Sequence, residues 1–341
     1  MPPRPTDTQR NPMQLPIDQV AAMARGVLAT LGYDTDEVAA ITEHLMDCEY
    51  RGVTYGGLAR TLTLHERLAR TGGRSSERPA VVHETVTAAR IDGADEVGYL
   101  VALDATQIAI EKARSQGLSI VGAANTWCSG MSSFYLERVT AEGLIGITVS
   151  SVDAFVAPFG SSEAKLGTNP AAIGFPTTAE PVIWDIGTSA VMLAEATLAA
   201  RTGQALKPGL AYAPDGTPTT DPTEALAGAF AVWGDHKGSG LSIMIQMLGF
   251  LAGSGVEPEY LTDHGFLMIV IDPAIFGDAA TVLKNATTFA NSIRSARPLD
   301  PSVPVKLPFD GSRERRQAAL SRGWLEVDDV VVSRAQAIIA G

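Results

Sequence analysis

The chain has 341 residues, 45% of them hydrophobic, and a formal net charge of −12 at neutral pH. That length exceeds one small core and fits a compact body of two subdomains. The acidic balance excludes nucleic acid and an anionic membrane surface as partners, since both recruit clustered Lys and Arg, and no run reaches the roughly 18 apolar residues of a membrane span.

Residues 1–15, which begin with the polar, Pro-rich run Met1 to Gln14, are expected to form a disordered tail rather than a signal peptide. Val20, Met23, Val27, Leu28 and Leu31 then recur at helical spacing, ended by Gly32. A second helix starts at Asp34-Thr35-Asp36-Glu37 and carries Val38, Ile41, Leu45 and Met46. After a Gly-rich turn at Gly52 to Gly57, a third runs through Leu62, Leu64 and Leu68 to Gly72-Gly73. From Pro79 the period changes, and strands at Ala88 to Asp92 and Ser119 to Ala123 flank a helix from Tyr99 to Ser115. A helix over Ser132 to Glu142 leads into the buried-strand run Leu144 to Ser150. Further strands fit Ala171 to Phe175, Val182 to Asp185 and Gly265 to Asp272; further helices fit Ala190 to Arg201, Ser239 to Ala252, Ala279 to Ser295 and Arg313 to Arg322. Gly209 to Glu224, rich in Pro, Thr, Asp and Gly, reads as a turn-laden loop. The division expected is a helical domain of 16–78 with 291–341 and an α/β domain of 79–290. The two cysteines, Cys48 and Cys128, lie far apart without metal-ligand spacing, so neither a disulfide framework nor a zinc site is expected, and a reducing cytoplasm suits them.

Three small-residue turns hold polar groups beside apolar runs: Leu166 to Pro170, Trp184 to Ser189, and Gly234-Asp235-His236-Lys237-Gly238-Ser239-Gly240-Leu241. Glycine there suggests backbone brought close to a ligand, and the three together point to a pocket. A helix starting after Thr188-Ser189 would offer N–H groups and hydroxyls to a phosphate, and Lys237 would offer charge. The alternative for Thr188 or Ser189 is a helix cap, and for Lys237 a solvated surface cation. Asp185, at a strand end, either orients an acid or the cofactor or accepts from backbone N–H groups.

With Asp215 to Pro222 and Pro308 to Glu314, these motifs resemble the malate/L-lactate dehydrogenase family of NAD(P)-dependent oxidoreductases, which also holds ureidoglycolate dehydrogenase, sulfolactate dehydrogenase and cyclic-imine carboxylate reductases. The resemblance covers nearly the whole chain. It implies an α/β (α+β) fold, a helical unit joined to a non-Rossmann mixed sheet domain, and agrees with the lack of a Gly-x-Gly-x-x-Gly turn. It also implies a homodimer with NADPH or NADH lying against Ile186, Gly187, Thr188 and Ser189, the His236-Lys237 turn and Asp310-Gly311-Ser312, with Ser150 assigned to the same surface.

Two departures stand out. Relatives read Gly-x-x-Ser-His-Gly-x-x-Arg after the second helix; here Gly52 to Arg60 keeps Arg60, expected to hold a substrate carboxylate, but sets Tyr55 for the Ser and Gly56 for the His. The second family histidine is replaced by Cys128 in Asn125 to Gly130. His44, His65, His83 and His264 lie in ordinary helix or strand patterns and are expected to be structural or exposed. Reducing a ketone needs a proton donor, worth typically ~10²–10⁴-fold, whereas an imine can enter as an iminium and needs none at that step. Tyr55 or Cys128 would serve only if a cation such as Lys237 lowered its pKa. The sequence therefore favours a reductase of a small carboxylate-bearing cyclic imine or 2-oxo acid, with Tyr55, Arg60, Cys128 and Asp185 as catalytic candidates. A non-redox relative, performing an isomerisation or cyclisation, and a dinucleotide-binding protein remain the alternatives.

Overall fold

The computed structural model describes residues 12–341. In chain order its elements are β1 (Pro12–Pro16), α1 (Ile17–Thr30), α2 (Thr35–Tyr50), α3 (Leu58–Thr71), β2 (Ala80–Glu84), β3 (Ala88–Val97), α4 (Gly98–Gln116), β4 (Leu118–Trp127), α5 (Ser132–Ala141), β5 (Ile145–Ser151), β6 (Ala171–Phe175) and β7 (Val182–Ile186). There follow α6 (Leu193–Thr202), β8 (Ala211–Tyr212), β9 (Pro218–Thr219), α7 (Pro222–Ala227), β10 (Ala229–Phe230), α8 (Asp235–Ala252), β11 (His264–Ile271), α9 (Ala279–Arg294), α10 (Asp310–Arg322), β12 (Trp324–Asp328) and α11 (Asp329–Ala340).

β2, β3, β4, β11, β5, β6 and β7 form one sheet in that order, in which only β3 and β4 run parallel. The helix joining those two strands, α4, packs with α5 on one face, where Val101, Ala105, Phe134, Leu136, Phe266 and Met268 belong to one core. α8 lies on the opposite face over Val149, Ala171 and Leu267. This is a mixed sheet of its own topology, in keeping with the missing dinucleotide fingerprint.

Three expectations need correction. Residues 12–15 are no tail: Pro12–Pro16 pairs antiparallel with Trp324–Asp328, tying the start of the described chain to its end. Residues 1–11 lie outside the described residues. The stretch from Gly209 to Glu224 is not loop throughout; β8 and β9 pair as a small hairpin, and α7 begins at Pro222 with Asp221 accepting from Thr223 N–H. The helix after Thr188-Ser189 starts only at Leu193.

The helical unit shows how the N-terminal sequence works locally. Asp34 and Glu37 make a reciprocal capping box at the start of α2. α3 is capped from a distance: the buried Glu49 carboxylate accepts from Leu58 N–H at 2.7 Å. A Cβ at Gly57 would sit 2.1 Å from Glu49 Oε1, so only glycine leaves room for this cap. Burial pushes the Glu49 carboxyl up to about 8, against the opposing Leu58 hydrogen bond and with Asp328 adding to the rise.

A carboxyl whose folded pKa lies above its unfolded value of about 4.3 makes the folded state the better proton binder between the two values. Stability then falls as pH rises from about 4.3 to 8, by at most about 5 kcal/mol. Glu49→Gln keeps the acceptor for Leu58 and removes this slope. Urea midpoints measured from pH 5 to 9 should therefore converge at low pH and separate at high pH, with the variant the more stable. Parallel curves would mean that Glu49 is charged in the folded protein.

Candidate active site

The helical unit and the sheet meet where α2 and α3 pack on the start of α4 and on the residues just after β4, with Ile41, Leu45, Leu64, Tyr99, Trp127 and Cys128 sharing one core. Three short segments deliver polar groups to this seam. α2 turns His44 and Cys48, one helical turn apart, toward it, both buried. The turn after α2 brings Tyr55, and the first turn of α3 brings Arg60. After β4 the chain makes a tight turn in which Cys128 has φ +57° and Gly130 φ +76°. A Cβ at Gly130 would lie 2.5 Å from His44 Nε2 and 2.4 Å from a ring carbon of Tyr99, so the turn closes directly over both rings.

Arg60 is the central charge. Its Nε is buried and has no hydrogen-bond partner, and no ion pair to its guanidinium occurs among the described residues. Burial acts to lower its pKa, but Cys128, Tyr99, Cys48 and Tyr55 around it act to raise it and prevail, so the group stays cationic. A half-buried cation with an unsatisfied Nε and no counter-charge is poised to pair with an anion that arrives from the open side.

The neighbours have assigned states. Tyr55 is pushed up to about 12 by burial first and then by Glu195, Cys48 and Asp185. The condition set for Tyr55, a cation that lowers its phenol, is not met: the cation acting on it is Arg60, and it does not outweigh burial. Tyr55 is a neutral hydrogen-bond donor at pH 7. Burial raises the Asp185 carboxyl, opposed by Ser133 N–H, which donates to Asp185 Oδ2 at 2.7 Å at the start of α5. Of its two expected roles, the backbone acceptor is therefore present. Cys128 Sγ lies 3.6 Å from Tyr99 Oη. Its backbone N–H donates to His264 Nδ1 at 3.3 Å, while Nε2 of that ring faces Asp153 Oδ1 at 2.9 Å.

His44, read from sequence as structural or exposed, lies against Tyr99 with ring centroids 4.7 Å apart. Its Nε2 accepts from Met131 N–H at 2.8 Å, which leaves the proton on Nδ1, and Nδ1 has no partner. Burial holds it well below the usual histidine range, helped by Arg138 and Arg60, so it is neutral. The seam thus also contains His44, Cys48 and Tyr99. A signal existed for the first two, since both fall on the buried side of α2, two turns and one turn before Gly52; none existed for Tyr99, which comes from α4.

The expected cofactor residues divide into three groups. The three turns do converge, but through internal bonds: Thr188 Oγ1 donates to Asn169 O at 3.0 Å, Trp233 N to Thr188 O at 2.8 Å, and Asn169 Nδ2 to Ser242 O at 3.1 Å. Thr188 is fully buried and Ser189 Oγ donates to Val191 O, so both hydroxyls donate within the fold and neither caps α6. Ile186 ends β7, and Gly187, just after it, packs on Met192. His236 and Lys237 stand exposed in the first turn of α8, which begins at Asp235 rather than Ser239. Lys237 and Gly238 N–H both donate to Gly234 O, at 3.2 and 3.4 Å, so the positive end of α8 and the Lys237 charge are the features that could hold a phosphate there. Asp310 is engaged by Arg294 in two hydrogen bonds of 2.8 and 2.9 Å, Ser312 accepts from Arg51 at 3.4 Å, and Gly311 lies between them. Ser150 Oγ lies 3.3 Å from Ser129 Oγ, under the Cys128 turn. A separate cleft of about 450 Å³ opens on another side of α2, lined by Asp18, Thr42, Tyr50, Arg138 and Arg316, and does not include Arg60. Among the described residues no helix is long and apolar enough to cross a membrane, and no group of His, Cys, Asp or Glu is arranged to hold a metal.

Comparison with known proteins agrees with this architecture. The chain is 30% identical to malate/(S)-sulfolactate dehydrogenase of Methanothermus fervidus, covering 92% of this chain and 93% of that protein. It is 28% identical to a Δ1-pyrroline-2-carboxylate reductase of Ancylobacter novellus, over 92% of this chain and 94% of that one. Among solved structures, a dehydrogenase from Sinorhizobium meliloti superposes with a TM-score of 0.90 at 32% identity, covering 97% of this chain and 99% of that chain. The profile of the malate/L-lactate dehydrogenase family matches residues 15–335, and the chain belongs to that family of NAD(P)-dependent oxidoreductases.

Proposed function

We propose that this oxidoreductase reduces a small cyclic imine bearing a carboxylate, with NADPH or NADH as the hydride donor. The observation that carries the reading is Arg60, a half-buried guanidinium whose enclosed Nε has no partner and which has no counter-ion among the described residues. A substrate carboxylate supplies the missing charge and accepts the fork of N–H groups in a bidentate contact. A protonated imine adds a positive centre, for which Asp185, fixed by Ser133 N–H and within electrostatic range of Tyr55, is the matching group. The zwitterionic iminium carboxylate therefore suits a site with one cation and one carboxyl.

When bound, the dinucleotide supplies the hydride, and Lys237, His236 and the first turn of α8 are the groups that would hold its phosphates. Tyr55 and Tyr99 contribute neutral hydroxyls that orient the ring without exchanging a proton at pH 7. The high phenol pKa and the neutral His44 leave no strong acid beside the substrate, which disfavours a 2-oxo acid, whose reduction ends on an alkoxide. The 2-oxo acid is the second reading, favoured by Arg60 alone. A reducing cytoplasm suits the two free, buried thiols, and a homodimer is the assembly we expect.

Cofactor binding tests the reading first. Trp233 is exposed four residues before Lys237, so its fluorescence should report NADH or NADPH titrated into the protein. Lys237→Ala should weaken the affinity about fivefold, the loss of roughly 1 kcal/mol from one phosphate contact. Failure of both dinucleotides to bind at millimolar concentration would rule the reading out.

A further inference from the structure

α2 borders two separate spaces. His44 and Cys48 turn to the active-site seam, whereas Thr42, Met46 and Tyr50, one helical turn apart from each other, line the cleft of about 450 Å³ that α1, α5 and α10 complete. That volume falls within the roughly 300–1,000 Å³ of small-molecule sites. Ile17, Ala21, Met46 and Phe134 give the cleft apolar walls. Phe134 belongs to both spaces, since its ring also lies 4.2 Å, centroid to centroid, from that of His44.

Most charged groups around the cleft are already paired. Arg138 meets Glu43 at 2.9 Å, Arg316 meets Asp47 at 2.7 Å, and Arg51 holds both Asp47 and Glu137 at 2.6 Å. Asp18 and Arg25 are the exception. Both line the cleft from α1, two helical turns and so about 10 Å apart along the axis, and neither has an ion-pair or hydrogen-bond partner among the described residues. Thr42, in turn, is 5% exposed, and its hydroxyl has no partner. Inside other helices Thr106, Thr140 and Thr197 return the hydroxyl to the carbonyl four residues back. Thr42 does not, and so lacks the hydrogen bond that buried polar groups normally make.

We propose that this cleft is a second small-molecule site, which takes an α-amino acid with an apolar side chain. The ammonium group pairs with Asp18 and the carboxylate with Arg25, while the side chain lies against Met46 and Phe134 and the Thr42 hydroxyl gains a partner. A simple anion or cation would satisfy one of the two unpaired groups and leave the other alone. A strongly anionic ligand would have to compete with Glu43 and Asp47 for Arg138 and Arg316. A zwitterion displaces none of these pairs.

The inference stands apart from the substrate reading, because Arg60 does not line the cleft. Isothermal titration calorimetry with L-leucine and L-phenylalanine tests it. At least one should bind with a millimolar or tighter Kd. Its amide, which lacks the carboxylate, and its deaminated acid, which lacks the ammonium, should each bind at least about tenfold more weakly. Asp18→Asn and Arg25→Gln, both at exposed positions, should each weaken binding about tenfold with circular dichroism unchanged, and Thr42→Val should weaken it severalfold. Arg60→Leu should leave the affinity as it is. Absence of binding by both amino acids at millimolar concentration overturns the inference, as does an affinity unmoved by Asp18→Asn and Arg25→Gln. Loss of binding in Arg60→Leu also overturns it, since the amino acid would then sit in the seam.

Discussion

Arg60→Lys should raise KM for every carboxylate-bearing substrate by about 10- to 100-fold while changing kcat much less, the loss of roughly 1.4–2.8 kcal/mol of ground-state binding. Lysine keeps the charge but not the planar fork that meets both carboxylate oxygens. The argument has a stability counterpart. Because Arg60 has no ion pair among the described residues and its Nε is unsatisfied, Arg60→Leu should leave the ligand-free protein at least as stable as wild type. It should also abolish the rise in Tm that a saturating carboxylate substrate or product gives wild type. Steady-state kinetics and thermal unfolding of the two variants check both halves. Indifference of KM to Arg60→Lys, or a large loss of stability in ligand-free Arg60→Leu, would mean that the guanidinium serves the fold.

The second large effect concerns the missing proton donor. Gly56→His returns an imidazole to the turn, but a Cβ at Gly56 lies 3.2 Å from Cys48 Sγ, so the substitution is best combined with Cys48→Ala. Burial has raised the Cys48 thiol far out of the working range, so removing it takes away no acid or base active near pH 7. In that double variant, kcat for a 2-oxo acid should rise by at least about 10²-fold, the lower end of what a positioned acid contributes. The rate with the imine should hardly change. The Cys48→Ala single variant is the control. No gain with the 2-oxo acid in a folded double variant would show that proton supply is not what the site lacks.

Much of the scaffold was legible because its signals are local. The Asp34 and Glu37 cap, the 3.6-residue spacing of α1 to α3 and the buried runs of β5 and β6 each act within a few residues. β1 and β12 were missed because their pairing joins opposite ends of the chain, and Pro12 and Pro16 obscure the strand pattern. The small-residue turns announced close packing correctly, yet their hydroxyls bond inward; sequence spacing cannot tell a hydroxyl aimed at a ligand from one aimed at Asn169 O. Arg60 was readable through the resemblance of Gly52 to Arg60 to the family's turn. Its isolation was not, since that depends on Cys48, Tyr99 and Cys128 arriving from three separate segments without a carboxylate among them.

The central claim is that Arg60 recognises a carboxylate on a substrate that brings its own proton. Initial rates of NADPH and NADH oxidation should be measured with three compounds: a five- or six-membered cyclic imine carboxylate, the 2-oxo acid of equal carbon number, and the same cyclic imine without its carboxylate. We expect kcat/KM for the imine carboxylate to exceed that for the 2-oxo acid by about 10²-fold or more, with the carboxylate-free imine turned over poorly. Equal rates with the 2-oxo acid, or full activity without the carboxylate, would contradict the account.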